Sequence, residues 1–288
     1  MDIQNNLNRA LRYFVKEDLD ASQVYVHYPS DKNLFQYCIV ITATRKNSEI
    51  KSSASGNNLY TTFLKALCEF GENMICDSLN LNCRSGIAGG LFSQNSIKRA
   101  KAELIERDAF LYHYKNILSF KLNSSNSESD SKLFELNSID PDFKVCFVMK
   151  QNYLIDPTSC LIFGMGSETS FKDSSEKAFS EFSTMVLNHN LYLECGFDVP
   201  SSKQSKADFH HGHSKSQENK LIFQEICKGT DQFKERKYDP KMWKVEVLKS
   251  PIRFFRYVKV HHPQLEKLEF GKPEKFNQFS KLVYHPFW

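Results

Sequence analysis

At 288 residues, with 41% hydrophobic side chains, the chain is long enough to bury a large core in one extended domain or two coupled lobes. A formal charge of +4 is too small to argue for nucleic acid, no apolar run reaches membrane-spanning length, and the opening Met1-Asp2-Ile3-Gln4-Asn5-Asn6-Leu7 is no signal peptide. These features exclude a membrane or nucleic-acid partner at the level of composition and imply a cytoplasmic location by default.

In chain order, residues 23–28 and 36–44 read as strands, with Val, Ile and Tyr alternating or buried. Ser53-Ala54-Ser55-Gly56 reads as a turn before a first helix over about 60–76. A strand at about 86–91 leads into a second helix over 95–114, and residues 123–131 (NSSNSESDS) form a polar loop. Strands follow at 144–150 and 160–164, then a third helix at 172–190. Residues 200–220 are polar; His210-His211-Gly212-His213 within them reads as loop sooner than as a metal site. Residues 244–248 and 254–260 read as strands that close the sheet. The class is mixed α/β, with repeated strand–loop–helix units but no fixed period.

Eight cysteines (38, 68, 76, 83, 146, 160, 195 and 227) form no C-x-x-C pair. Cys38, Cys146 and Cys160 sit in apolar runs and are expected to be small buried hydrophobes in a reducing compartment. Cys83 adjoins a glycine-rich turn, where it can line a pocket, but its spacing gives no support for a nucleophile. The 24 phenylalanines, alongside abundant Asn and Lys, are a matter of composition and not of function.

The chemistry-bearing stretch is residues 85–110, SGIAGGLFSQNSIKRAKAELIERDAF. A turn with Gly86, Gly89 and Gly90 enters a helix carrying Glu103, Glu106 and Arg107 as E-x-x-E-R. Carboxylates three apart share a helix face, which suits a divalent cation, and a cation beside an arginine suits a polyphosphate. Glu69 and Glu72 repeat the spacing upstream, and Glu181 follows Phe163-Gly164-Met165-Gly166-Ser167 on the third helix. In the first helix Phe63, Leu67, Phe70 and Met74 share a face opposite Glu69, Glu72 and Lys65; in the second, Ile97, Ala100, Leu104 and Leu111 share one, with Glu103 and Glu106 pointing away. The same spacing equally describes three surface helices with solvated glutamates.

The order SASGNN…KALCEFGEN, SGIAGG…AELIERDAF and GMGS…SEKAFSEF resembles the YcaO family, whose members carry S-x-x-x-E-x-x-E-R, then G-x-A-x-G…E-x-x-E-R-D-A, then A-x-x-x-A-L-x-E. The late stretch 253–266 and the ending Tyr284-His285-Pro286-Phe287-Trp288, similar to the H-P-F-P terminus of azoline-forming members, extend the resemblance from about residue 50 to 288. It implies a single YcaO-like domain over 1–288, with 1–50 the less marked part, and a YcaO-like fold of mixed sheets backed by helices.

The resemblance implies a cyclodehydratase using ATP and Mg²⁺. A Cys, Ser or Thr of a ribosomal precursor peptide attacks the preceding carbonyl, ATP phosphorylates the amide oxygen, and loss of phosphate leaves a thiazoline or oxazoline of the kind found in bacteriocins. Glu69, Glu72, Glu103, Glu106 and Glu181 would hold metal and, with Arg107, nucleotide; the terminal Pro286 and Trp288 would be catalytic. An E1-like leader-binding protein and a flavin dehydrogenase are the implied partner proteins. Departures fall at Lys65, Asn73, Asn95, Arg99, Thr184 and Met185, where the family carries Ser, Arg, an acid, a Ser-like residue, Gln and Arg. The acidic framework is kept and the phosphate-binding periphery is thinned, so a YcaO-fold scaffold or peptide-binding subunit with little or no turnover stands as the alternative.

Overall fold

Among the described residues the strands form three antiparallel sheets. A computed structural model describes residues 3–28, 36–46, 48–79, 81, 86–126, 131–150, 161–194, 217–228 and 236–265. The elements are α1 (Ile3–Phe14), β1 (Ala21–His27), β2 (Tyr37–Arg45), β3 (Ser48–Gly56), α2 (Leu59–Ser78), β4 (Ile87–Gly90), α3 (Ser93–Asn116), β5 (Lys121–Asn126), β6 (Ser131–Leu136), β7 (Lys144–Lys150), β8 (Phe163–Glu168), α4 (Phe171–Glu194), α5 (Gln217–Ile226), a 3₁₀ turn (Pro240–Met242), β9 (Lys244–Leu248) and β10 (Arg256–His261). Sheet orders are β1-β2-β3, β4-β10-β9 and β5-β6-β7-β8. The mixed α/β architecture expected from the sequence is the one found.

Two compact units emerge, residues 1–101 with 243–262, and residues 102–242 with 263–288; the division falls inside α3. In the first unit, α2 lies on β2 and β3, and the apolar face read from its spacing is the buried one: Phe63 at 3% exposure, and Leu67, Phe70 and Met74 at 0%. Each such side chain contributes about 1.5–3 kcal/mol on burial. The helix starts at Asn58, whose side-chain oxygen accepts from the Tyr60 and Thr61 amides, satisfying donors the helix cannot.

In the second unit, α4 packs on β7 and β8. Gly164 and Gly166 allow this approach. A Cβ on Gly164 would stand 2.2 Å from the Ala178 carbonyl oxygen, and one on Gly166 would stand 2.1 Å from that of Ser174. Ser170 starts α4 reciprocally, accepting from the Asp173 amide at 3.1 Å and donating to its carboxylate at 2.7 Å. Part of the phenylalanine surplus becomes core here: Phe110, Phe147 and Phe163 stack with centroids 5.0–5.6 Å apart, and Phe223 joins them.

Three strands each pass into a helix through two residues: β3 to α2 at 57–58, β4 to α3 at 91–92 and β8 to α4 at 169–170. These are the pseudo-repeated units. Several boundaries differ from the sequence reading. The serine-rich turn at 53–56 is the end of β3, where Ser52 and Ser55 are buried and the Ser52 hydroxyl donates to the Ala66 carbonyl at 2.8 Å. The polar loop at 123–131 contains the paired ends of β5 and β6; β5 is an edge strand with solvent-facing residues 121–124, so it carries no hydrophobic alternation. The end of the polar stretch, residues 217–220, opens α5, which runs on to Ile226, and α1 has no counterpart among the elements expected from the sequence.

Candidate functional site

The acidic residues fall in both units. In the first, Glu72 on α2 accepts from the Gly89 amide at 2.8 Å, so the glycine strand β4 supplies a backbone donor to the carboxylate. Arg99 of α3 donates to the Gly89 carbonyl at 2.7 Å and to Cys68 Sγ at 3.5 Å, with its other nitrogen 3.9 Å from Glu72. A side chain at Gly89 would meet the Tyr257 ring at 2.4 Å, which is why β4 needs glycine there. Burial, reinforced by Glu72, pushes the Cys68 thiol up to about 12, so it is a neutral SH and not a thiolate nucleophile. Glu69 is half-buried one turn before Asn73.

In the second unit Glu106 is 5% exposed, and its carboxylate accepts from Lys177 Nζ of α4 at 2.9 Å. The sequence reading pointed Glu106 away from the buried face of α3. Instead Ala102, Ile105, Asp108 and Ala109 are buried around it, while Ile97 and Leu104 are half-exposed, because this half of α3 is covered nearly all round. Glu181, one turn beyond Lys177 on α4, accepts from the Met165 amide at 3.4 Å. Burial, then the neighbouring Glu106, pushes its carboxyl up to about 8 against the pull of Lys177. Burial acts to lower the Lys177 ammonium, but Glu106 and Glu181 outweigh it and hold the charge on.

Arg107 pairs with Glu103 at 2.5 Å, and Asp108 takes a separate fork from Arg236, whose two nitrogens reach its carboxylate at 2.6 and 2.7 Å while the guanidinium lies 4.3 Å from the Tyr112 ring centroid. The departures from the family pattern have visible local roles. Asn73 donates to the Lys51 carbonyl, Thr184 to that of Ser180 at 3.0 Å, and Met185 packs against the apolar cluster of Cys146, Val148 and Phe182. Cys38 and Cys146 are buried, as expected. Cys83, Cys160, Cys195, the 210–213 histidine run and the terminal Pro286 and Trp288 lie outside the described residues.

One cation in each unit stands against the glutamates: in the first Arg99, named in the sequence only as a departure from the family pattern, against Glu72, and in the second Lys177, not singled out there, against Glu106 and Glu181. Lys177 could have been noticed as the residue four before Glu181, the spacing that joins side chains along a helix. The carboxylates are hard oxygen donors of the kind Mg²⁺ prefers, so the donor chemistry fits. As placed, no three His, Cys, Asp or Glu among the described residues form a group able to hold a metal ion. No helix among the described residues is long and apolar enough to cross a membrane.

No protein-family model matches the sequence, and no curated protein does. Solved structures do match in fold. YcaO from Methanopyrus kandleri, bound with AMPPCP and Mg²⁺, aligns over 94% of this chain and 92% of its own, with TM-score 0.59 and 10% identity. A heterocyclase in complex with substrate and cofactor aligns over 93% of this chain but 53% of its own, with TM-score 0.61 and 12% identity, so the chain spans about half of that protein. A chain of the E. coli microcin synthetase McbBCD complex with pro-MccB17 bound aligns over 88% and 91%, with TM-score 0.59 and 11% identity. The fold is thus that of YcaO structures.

Proposed function

We propose that this YcaO-fold chain is an ATP- and Mg²⁺-dependent cyclodehydratase, forming azoline rings from Cys, Ser or Thr of a ribosomal precursor peptide. The observation that carries the reading is the gathering of Glu106 and Glu181, from two helices, around Lys177. A carboxylate pair short of counter-charge in a buried place costs stability, and a ligand that brings cations relieves it.

In the proposed reaction the peptide nucleophile bonds to the preceding carbonyl carbon, whose oxygen takes the terminal phosphoryl group of ATP. That attack closes the ring and releases the proton of the thiol or hydroxyl; phosphate then leaves with the C–O bond, the amide nitrogen gives up its proton and a C=N bond forms within the ring, while ATP becomes ADP. When bound, Mg²⁺ supplies charge neutralisation to the phosphates. Glu103, Glu106 and Glu181 would hold it in the second unit, and Glu69 and Glu72 are proposed as ligands in the first. Arg107 has the planar fork that matches phosphate geometry and would exchange Glu103 for it. Pro286 and Trp288 are proposed to act at the same reaction, in a cytoplasmic assembly where an E1-like partner binds the leader and a flavin dehydrogenase oxidises the azoline to an azole.

The test is reconstitution of the purified chain with precursor peptide, ATP, Mg²⁺ and the leader-binding partner, read by mass spectrometry as loss of water per ring. Removing the last four residues should abolish that loss while leaving the melting curve in place. No mass loss with any partner, together with no nucleotide binding, would leave the second reading: a peptide-binding scaffold. One observation favours that alternative, the internal cations already set against Glu72, Glu103 and Glu106.

A further inference from the structure

We infer that Lys177 is an internal counter-ion that keeps a divalent metal off Glu106 and its neighbours until a polyanionic nucleotide is present. The inference rests on the function proposed above and adds a gate to its metal site. Lys177 Nζ donates to Glu106 Oε2 at 2.9 Å, and Glu106 is nearly sealed, with a side chain 6% exposed, so the ammonium occupies one of the two oxygens an incoming cation would need. The α4 backbone cannot carry Lys177 away. Gly164 and Gly166 bring β8 against the main chain of α4 at Ser174, Ala178 and Phe182. Departure must come from the side chain itself, and at 34% exposure with a flexible four-carbon stem it has solvent to turn into.

Charge sets the direction. Glu103 and Glu106 are each set against one cation, Arg107 and Lys177, so these two ion pairs leave no net negative charge for a metal to neutralise. A lone Mg²⁺ entering with both cations in place takes the two pairs to +2 and sets a dication against an ammonium across one carboxylate. A nucleoside triphosphate brings several negative charges, enough to offset added divalent cations, so metal and nucleotide enter together. With both ammonium and guanidinium in place, the group is closed to metal alone.

Mn²⁺, read as the loss of free-ion signal by electron paramagnetic resonance, tests this on the full chain without turnover. The wild type should retain almost no Mn²⁺ alone and take it up with a non-hydrolysable ATP analogue. Lys177→Met should bind Mn²⁺ alone at least tenfold more tightly than the wild type, whereas Lys177→Arg, which keeps the charge, should not. Thermal melts of each variant establish that it is folded, and Lys177→Gln replaces Lys177→Met if the latter is not. Equal Mn²⁺ affinity of the wild type and the neutral variant without nucleotide overturns the gate. If the neutral variant gains Mn²⁺ while the analogue adds nothing in any protein, Lys177 is a counter-ion that excludes metal, but its release by nucleotide and the ATP-dependent function both fall.

Discussion

Replacing Glu181 by Gln should make the ligand-free protein more stable at neutral and mildly alkaline pH, although it removes an acid from the proposed site. The Glu181 carboxyl moves from 4.5 to about 8, chiefly through burial and then through Glu106. A raised folded value means that the folded chain binds the extra proton between these limits. Stability is fully present below 4.5 and lost as pH rises through about 8. At about 1.4 kcal/mol per pH unit the full penalty near pH 7 would be roughly 3 kcal/mol, and partial exposure and the Lys177 pair reduce it to ~1–2 kcal/mol. Gln keeps the shape and the oxygen that accepts from Met165, and it carries no charge to desolvate. For a chain of this size that is a rise of about 2–3 °C in melting temperature at pH 8. Melts of both proteins from pH 5 to 9 should diverge with rising pH and nearly coincide at the acid end. A variant less stable at pH 8, or a gap independent of pH, would refute the assignment of a strained carboxylate.

Arg236→Ala should cost about 3–5 kcal/mol, read as a lower urea midpoint, because Asp108 is 0% exposed and would lose both arms of its fork. His113 is buried, donates through Nδ1–H to the Leu118 carbonyl and accepts the Asn137 amide on Nε2, so burial lowers its proton affinity. Lowering the pH below its ordinary 6.5 should then erode stability, by at most about 1.4 kcal/mol per unit, and His113→Asn should flatten that slope. Arg107→Lys keeps the pair with Glu103 but loses the planar fork; nucleotide affinity measured calorimetrically should fall by roughly tenfold, and unchanged binding would remove Arg107 from the phosphate role.

The legible parts of the fold are those where hydrophobic periodicity and burial agree. β7 and β9 fall on the residues expected, and the face of α2 was readable because one side is apolar and packed. β3 was hidden because its inward positions include serine, which carries no hydrophobic signal and is satisfied by a carbonyl of α2 only in three dimensions. In the site, the identities of the glutamates came from spacing and resemblance. Their partners did not: Arg99 meets Glu72 across a strand and two helices, and Lys177 reaches Glu106 across 71 residues of chain. Such pairs are decided by packing, which a one-dimensional pattern does not contain.

The backbone contact between β8 and α4 bears on how this protein can change. Most side chains in a core can be exchanged for others of similar volume, and the surroundings relax. Gly164 and Gly166 lack that freedom, because what they touch is main chain: Ala178 O and Phe182 N for one, Ser174 O and Ala178 N for the other. Lys177 and Glu181 immediately precede two of those helix residues, so their height along the strand is set by two hydrogen atoms where side chains would otherwise be. A library randomised through the apolar core of the second unit should therefore preserve the spacing of its charged cluster. One added methyl at either glycine should shift the helix, and the ammonium and carboxyl with it.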